Sequence, residues 1–284
     1  MPMQPDRAAV PPEGLPKSGP WRRFGRSLCR VTIALVVLYG LVCLGARYVS
    51  NWLLFPVPAP SYGEKMRGLV RLTASDGTRL AAVYLPNPQA RQIVLLFHGN
   101  GDDLGPTMNR IEALQARGFA VLAVDYPGYG LSEGRASESG LYAAAEAAYE
   151  HATRTLRWAP ERVIAHGVSL GGAAATWVAS RKPVGGLVLE SAFTSAYRVM
   201  IGYPVVLGDR MPNLARMREV RCPVLVIQGF DDGLIAWEHG QRLYEAAPNP
   251  KRCYWVPGAG HNNVISMGGD RYWRELRDFA ATLP

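Results

Sequence analysis

Two rhythms of apolar residues divide the chain. Near the N-terminus, Val31 to Ala46 runs sixteen residues without a charge between Arg30 and Arg47. Further on, the apolar residues come in short blocks. Ile93–Phe97, Ala120–Val124, Val163–Val168, Leu187–Glu190 and Val224–Gln228 are almost unbroken apolar runs, with Tyr254–Val256 a shorter one. Runs of this length predict strands buried on both faces of a parallel sheet. Between them lie helix-period segments at Met108–Arg117, Leu141–Trp158, Leu170–Arg181 and Trp237–Ala247, and Arg271–Thr282 closes the chain. In the second of these, Leu141, Ala145, Ala148, Tyr149, Ala152 and Leu156 share one face. Val70–Thr73 and Arg79–Tyr84 flank Ser75-Asp76-Gly77, the signature of an antiparallel hairpin. The alternation predicts an α/β architecture, a mostly parallel eight-stranded sheet with helices on both faces. Residues 192–220, with Tyr203-Pro204 and Met211-Pro212, break the rhythm and read as a short lid over the strand ends.

The N-terminal run is shorter than the roughly 20 residues a spanning helix prefers. Leu28 and Cys29 extend it on one side, and Tyr48, Val49 and Trp52 on the other. Arginines at its ends can snorkel to the interface. Residues 28–49 are therefore expected to form a single transmembrane anchor behind a disordered basic tail, residues 1–27, with one folded domain over 50–284. Asn51 to Pro56 is an amphipathic aromatic stretch suited to the membrane surface. Net charge is +8, and the first 30 residues hold six basic and two acidic side chains, half of that excess. Basic residues before the anchor and few after it predict a cytoplasmic N-terminus and a domain on the exported side, periplasmic or extracellular. A cleaved signal peptide would need small residues at −3 and −1, which Cys43 and Gly45 meet only weakly. Val42 before Cys43 argues against a lipoprotein.

No basic run interleaved with aromatics occurs in the body, so the basic balance does not point to nucleic acid. The cysteines are Cys29, Cys43, Cys222 and Cys253, without C-x-x-C or Cys/His metal spacing, so no metal is expected. Cys222 and Cys253 open what read as neighbouring strands. A disulfide is conceivable, but two buried thiols suit cysteine's packing role better.

Candidate chemistry centres on Gly167-Val168-Ser169-Leu170-Gly171, between a strand-like run and an Ala-rich helical one. That context makes Gly-x-Ser-x-Gly a nucleophile elbow, with Ser169 on a sharp turn and glycines two residues to either side. A serine nucleophile needs a base and a group that orients the base. His261 lies in a glycine-rich loop just after the last strand, whereas His98, His151, His166 and His239 read as structural. Asp232 follows a strand between Ser169 and His261, with adjacent Asp231 the alternative. The Asn100 N–H, in His98-Gly99-Asn100-Gly101, and the Leu170 N–H can serve as oxyanion donors. Asp102-Asp103 beyond that loop reads as a helix cap before it reads as a cation site.

Six motifs carry a resemblance. His98-Gly99-Asn100-Gly101, Asp125-Tyr126-Pro127-Gly128-Tyr129-Gly130-Leu131-Ser132, the Ser169 pentapeptide, Glu190-Ser191-Ala192-Phe193-Thr194-Ser195 and the segments holding Asp232 and His261 resemble the α/β-hydrolase superfamily. Within it the chain is similar to membrane-anchored abhydrolase-domain serine hydrolases of the Bem type, over about residues 50–282. The resemblance implies an α/β-hydrolase fold, Ser169 as nucleophile, His261 as base, Asp232 as its orienter, and Asn100 and Leu170 as oxyanion donors. It gives Asp125 a structural place. Pro127 stands where many relatives carry Arg, and Gln228 where many carry His. The resulting expectation is a membrane-tethered serine hydrolase cleaving esters or thioesters, acyl-lipid-like ones above all, without a cofactor. A peptidase or amidase using the same residues and a non-catalytic scaffold are the alternatives.

Overall fold

The computed structural model describes residues 20–201 and 208–283. Cα proximity divides the chain after Arg47 into two units. Helix α1 spans Pro20–Leu54, wider at both ends than the 28–49 expected. Proline is tolerated where α1 opens, and Pro56 forbids its continuation. Within α1, Ser27–Leu54 contains an 18-residue window with a mean hydropathy of 2.2 and is long and apolar enough to cross a membrane. A signal sequence near an N-terminus meets the same criterion. The part of the expected tail over residues 1–19 lies outside the described residues.

The second unit carries one eight-stranded sheet. Its strands are β1 (Leu69–Thr73), β2 (Arg79–Leu85), β3 (Ile93–Phe97), β4 (Ala120–Val124), β5 (Val163–Val168), β6 (Gly186–Glu190), β7 (Val224–Gly229) and β8 (Lys251–Val256). The order is β1-β2-β4-β3-β5-β6-β7-β8. β2 pairs antiparallel with both β1 and β4, and every other pair is parallel. Strands β3, β4, β6 and β7 are buried throughout, and β5 is buried up to Val168, which is why their sequences read as continuous apolar runs. The helices are α2 (Leu104–Gln115), α3 (Glu138–Glu150), α4 (Gly171–Arg181), α5 (Ala196–Ile201), α6 (Asn213–Arg216), α7 (Trp237–Ala246) and α8 (Val264–Ala281). One core cluster packs α3 and α4 against the sheet and the other packs α2 and α8.

Three helix boundaries depart from the apolar periodicity. Helix α2 starts at Leu104 rather than Met108, because Asp103 caps it by accepting the Gly105 N–H at 2.9 Å. Helix α3 starts at Glu138 under a Ser137 cap and passes after Glu150 into a π-turn over His151–Thr155. Helix α8 starts at Val264, well before Arg271, with a break at Gly269 (φ 49°). Gly268-Gly269 is a poor helix former, and this hid the first turns.

The segment over 192–220 holds α5, α6 and a short 3₁₀ turn at Met217–Glu219, and Tyr203-Pro204 lies outside the described residues. It is fastened at Arg210, whose side chain is buried. The guanidinium donates to Ser50 Oγ and Asn51 Oδ1, each at 3.1 Å, and to Glu138 Oε2 at 3.2 Å. All four cysteines are free. Register sets Val226, not Cys222, opposite Cys253. Cys222 lies four residues earlier along the strand direction, about 13 Å away at strand spacing and beyond disulfide reach. Burial pushes the Cys222 thiol up to about 12.

Candidate active site

The loops after β3, β5, β7 and β8 gather at the C-terminal edge of the sheet, where open α/β sheets place their sites. At the end of β5 the backbone turns sharply, and Ser169 takes φ 52°. A β-carbon at Gly167 would overlap the Gly171 carbonyl, and one at Gly171 would overlap the Phe97 carbonyl. Both positions therefore have to be glycine for the elbow to close against β3. The Ser169 N–H is held by the Glu190 carbonyl at 2.9 Å, and Leu170 is the N-cap of α4. The first amides of a helix have no intrahelical partner and favour negative charge before them.

Ser169, His261 and Asp232 come together across 92 and 29 residues of sequence. His261 Nε2 lies 3.0 Å from Ser169 Oγ, and His261 Nδ1 lies 2.8 Å from Asp232 Oδ2. Ser169 and Asp232 are buried, and the His261 side chain is 12 % exposed. Asp232 Oδ1 accepts the Leu234 and Ile235 N–H groups at 3.0 and 2.8 Å, which fixes the carboxylate plane. The neighbouring Asp231 is exposed, and only its backbone N–H, bonded to the Ala259 carbonyl at 2.9 Å, ties it to the histidine loop.

The loop after β3 lies beside the serine: a β-carbon on Gly99 would sit 3.7 Å from Ser169 Cβ. His98 Nδ1 is 2.8 Å from the Gly99 carbonyl oxygen. A carbonyl only accepts, so Nδ1 carries a hydrogen and donates it. In a trans peptide the C=O and N–H point in opposite directions, so the bond to Gly99 also aims the Asn100 N–H. Tyr126 and Tyr129 hydroxyls hold the carbonyls of His98 and Asn100 at 2.8 and 3.0 Å. His98 Nε2 approaches Asp125 Oδ1 at 3.2 Å, and Tyr62 donates to Asp125 Oδ2. Burial, with Asp125 beside it, pushes the Tyr62 hydroxyl well up, so it remains a donor.

These supports were invisible as such in the sequence. The aromatic positions of Asp125-Tyr126-Pro127-Gly128-Tyr129 were a signal, but only the fold shows which carbonyls they hold. Gln228 is another: its amide donates to Asp232 Oδ2 at 2.9 Å and to the Ile235 carbonyl at 3.0 Å. Asp103 caps α2 and also accepts from Ser61. Among the described residues no His/Cys/Asp/Glu cluster suits a metal ion.

Comparison with known proteins places the chain. It is 34% identical over 213 residues to the human α/β hydrolase domain-containing protein 17B, covering 73% of each chain. The chain belongs to the α/β-hydrolase superfamily. This hydrolase is also 36% identical over 267 residues to an uncharacterized Mycobacterium tuberculosis protein, covering 89% of its own length and 95% of the relative's. The family described as serine aminopeptidase, S33, matches residues 88–214. In fold, the hydrolase is similar to a Pyrococcus furiosus esterase, with TM-score 0.68 at 19% identity over 80% of this chain and 96% of that one. It is similar too to a Paleococcus ferrophilus monoacylglycerol lipase, with TM-score 0.57 at 21% identity over 72% and 98%.

Proposed function

We propose that this protein is a membrane-tethered serine hydrolase that cleaves carboxylic esters or thioesters through an acyl-enzyme. The observation that carries the reading is the 3.0 Å and 2.8 Å chain from Ser169 Oγ through His261 to Asp232, set on a strained elbow. In this reading His261 Nε2 takes the Ser169 proton as Oγ attacks the acyl carbonyl. Asp232 holds the ring with Nδ1–H inward and stabilises the imidazolium. The Asn100 and Leu170 amides receive the oxyanion, and one such donor supplies about 3 kcal/mol of transition-state stabilisation. His261 then protonates the leaving oxygen or sulfur, and water releases the acyl group by the reverse sequence.

Acyl-lipid-like substrates follow from the apolar helix, which would hold the domain against a bilayer. Each methylene buried in an acyl pocket contributes ~0.8 kcal/mol, about fourfold in kcat/KM. Turnover of p-nitrophenyl esters is therefore expected to rise from acetyl to octanoyl, and a strict acetyl preference would overturn the lipid assignment. A peptidase reading has the serine aminopeptidase match in its favour. Matched aminoacyl esters and amides separate the two: the ester reading expects ester kcat/KM at least ~10³-fold higher, and comparable values would favour a peptidase.

The tether is read from the 28-residue Ser27–Leu54 stretch together with the basic residues before it. The full-length protein is expected to stay with membranes through alkaline carbonate extraction and to be freed by detergent. In sealed vesicles, protease added to the extracytoplasmic face is expected to remove the C-terminal domain. Release by carbonate would exclude the anchor, and protection would reverse the orientation.

A further inference from the structure

On the α2/α8 face of the sheet, a charged cluster lies directly beneath the elbow. Glu190 ends β6 and is 2% exposed. Both its carboxylate oxygens are taken by Arg110 of α2, at 2.5 and 3.0 Å. Oε2 also accepts the Tyr272 hydroxyl of α8 at 2.7 Å, and His166 Nε2 of β5 lies 3.4 Å from it. Burial alone would raise the Glu190 carboxyl, but Arg110 holds it well below the usual carboxylate range. Burial keeps His166 below the ordinary imidazole range. Glu190 and Arg110 thus face each other as ions, with Tyr272 donating and a neutral His166 alongside.

The cluster is a poor source of stability. Removing two charges from water costs several kcal/mol per ion, and apolar replacements of similar volume are often neutral or stabilising. A bidentate fork does supply a single geometry. What it joins is specific to the site. Helix α2 follows the loop carrying Asn100, α8 follows the loop carrying His261, and β5 leads into Ser169. The Glu190 main chain joins in, since its carbonyl holds the Ser169 N–H at 2.9 Å. Apolar packing of α2 and α8 on the sheet is interrupted at this end. A cavity of about 140 Å³, lined by Gly99, Asp102, Thr107, Arg110 and Val168 among others, lies between Arg110 and the Asn100 loop. Where atoms do not interlock, directional bonds have to set the distance between elements.

We propose that Glu190 is a positioning residue of the hydrolytic centre. Its carboxylate locks α2 and α8 to the end of β6, and its carbonyl fixes the elbow, so that Asn100, Ser169 and His261 keep one mutual arrangement. The proposal rests on the serine-hydrolase reading above. A displacement of about 1 Å in such an arrangement costs up to about 10² in rate.

The test uses the full-length protein in detergent and reads kcat, KM, the rate of fluorophosphonate labelling and Tm. Glu190→Gln is expected to lower kcat and labelling rate at least tenfold with KM within about twofold. Arg110→Met/Glu190→Gln leaves no ion unpaired, so Tm is expected near the wild-type value while kcat stays low. Recovery of kcat together with Tm in that double variant would show a purely structural role and overturn the proposal. Tyr272→Phe removes one hydroxyl and decides the matter should Glu190→Gln not fold. A fall in kcat at constant KM supports positioning, and an unchanged kcat overturns it. Wild-type protein that neither labels nor turns over esters would remove the hydrolase reading and this proposal with it. Labelling of wild type and variants at one rate would remove this proposal alone.

Discussion

Ser169→Ala is expected to lower kcat by about 10⁴- to 10⁶-fold and to abolish fluorophosphonate labelling, with no loss of folded protein. The size follows from what the substitution removes. Ser169 Oγ is the atom 3.0 Å from His261 Nε2, and alanine leaves the base with nothing to deprotonate. Residual rate over water would come from the oxyanion amides and binding alone. Backbone strain argues for retained folding: φ 52° is as costly for alanine as for serine, and the Ser169 N–H bond to Glu190 is a main-chain one. Labelling and turnover are read on the same detergent-solubilised sample, with thermal unfolding as the control. Labelling that persists in Ser169→Ala would mean another nucleophile. A wild type that is folded yet never labelled, with no esterase activity, would move the non-catalytic scaffold to the front.

Asp232→Asn is expected to cost about 10⁴-fold in kcat, and Asp231→Asn less than about twofold. The two side chains are adjacent in sequence, but only Asp232 faces His261, at 2.8 Å. Its Oδ2 takes the His261 Nδ1–H and the Gln228 amide, and Oδ1 takes two backbone amides. An asparagine has a single acceptor oxygen for these four donors. With Leu234 and Ile235 N–H groups holding that oxygen, its NH₂ is turned toward His261. The ring is then driven to the tautomer with hydrogen on Nε2, which cannot accept the Ser169 proton. The measurement is kcat for both variants beside wild type. Near-normal turnover by folded Asp232→Asn, or a collapse in Asp231→Asn, would transfer the orienting role.

Gln228 and the two tyrosines extend the hydrogen-bonded arrangement around Ser169, His261 and Asp232 beyond those three residues. A histidine at position 228 could also donate to Asp232. The amide makes two bonds at once, to the carboxylate and to the Ile235 carbonyl, and so ties both ends of the turn. Tyr126 and Tyr129 act on the other wall, restraining a loop whose two glycines would leave it loose.

The sequence by itself determined the order of elements and the residues of the elbow. Strands β3 to β7 are buried on both faces, so their apolar runs reveal themselves without context. The elbow glycines at 167 and 171 are dictated by a turn only a few residues long. Local patterns of that kind survive in one dimension. Helix ends were less legible, because caps such as Asp103 and Ser137 and the Gly268-Gly269 break compete with apolar periodicity. The Arg210 fastening of the 192–220 segment to Ser50 and Asn51, and the meeting of Arg110, His166 and Tyr272 at Glu190, were decided only by tertiary structure, whereas Asp232, which meets His261, was already preferred over Asp231 in the sequence. Those contacts join residues 24 to 160 positions apart. A half-buried arginine on α2 looks like any surface arginine until the sheet places a carboxylate 2.5 Å from it.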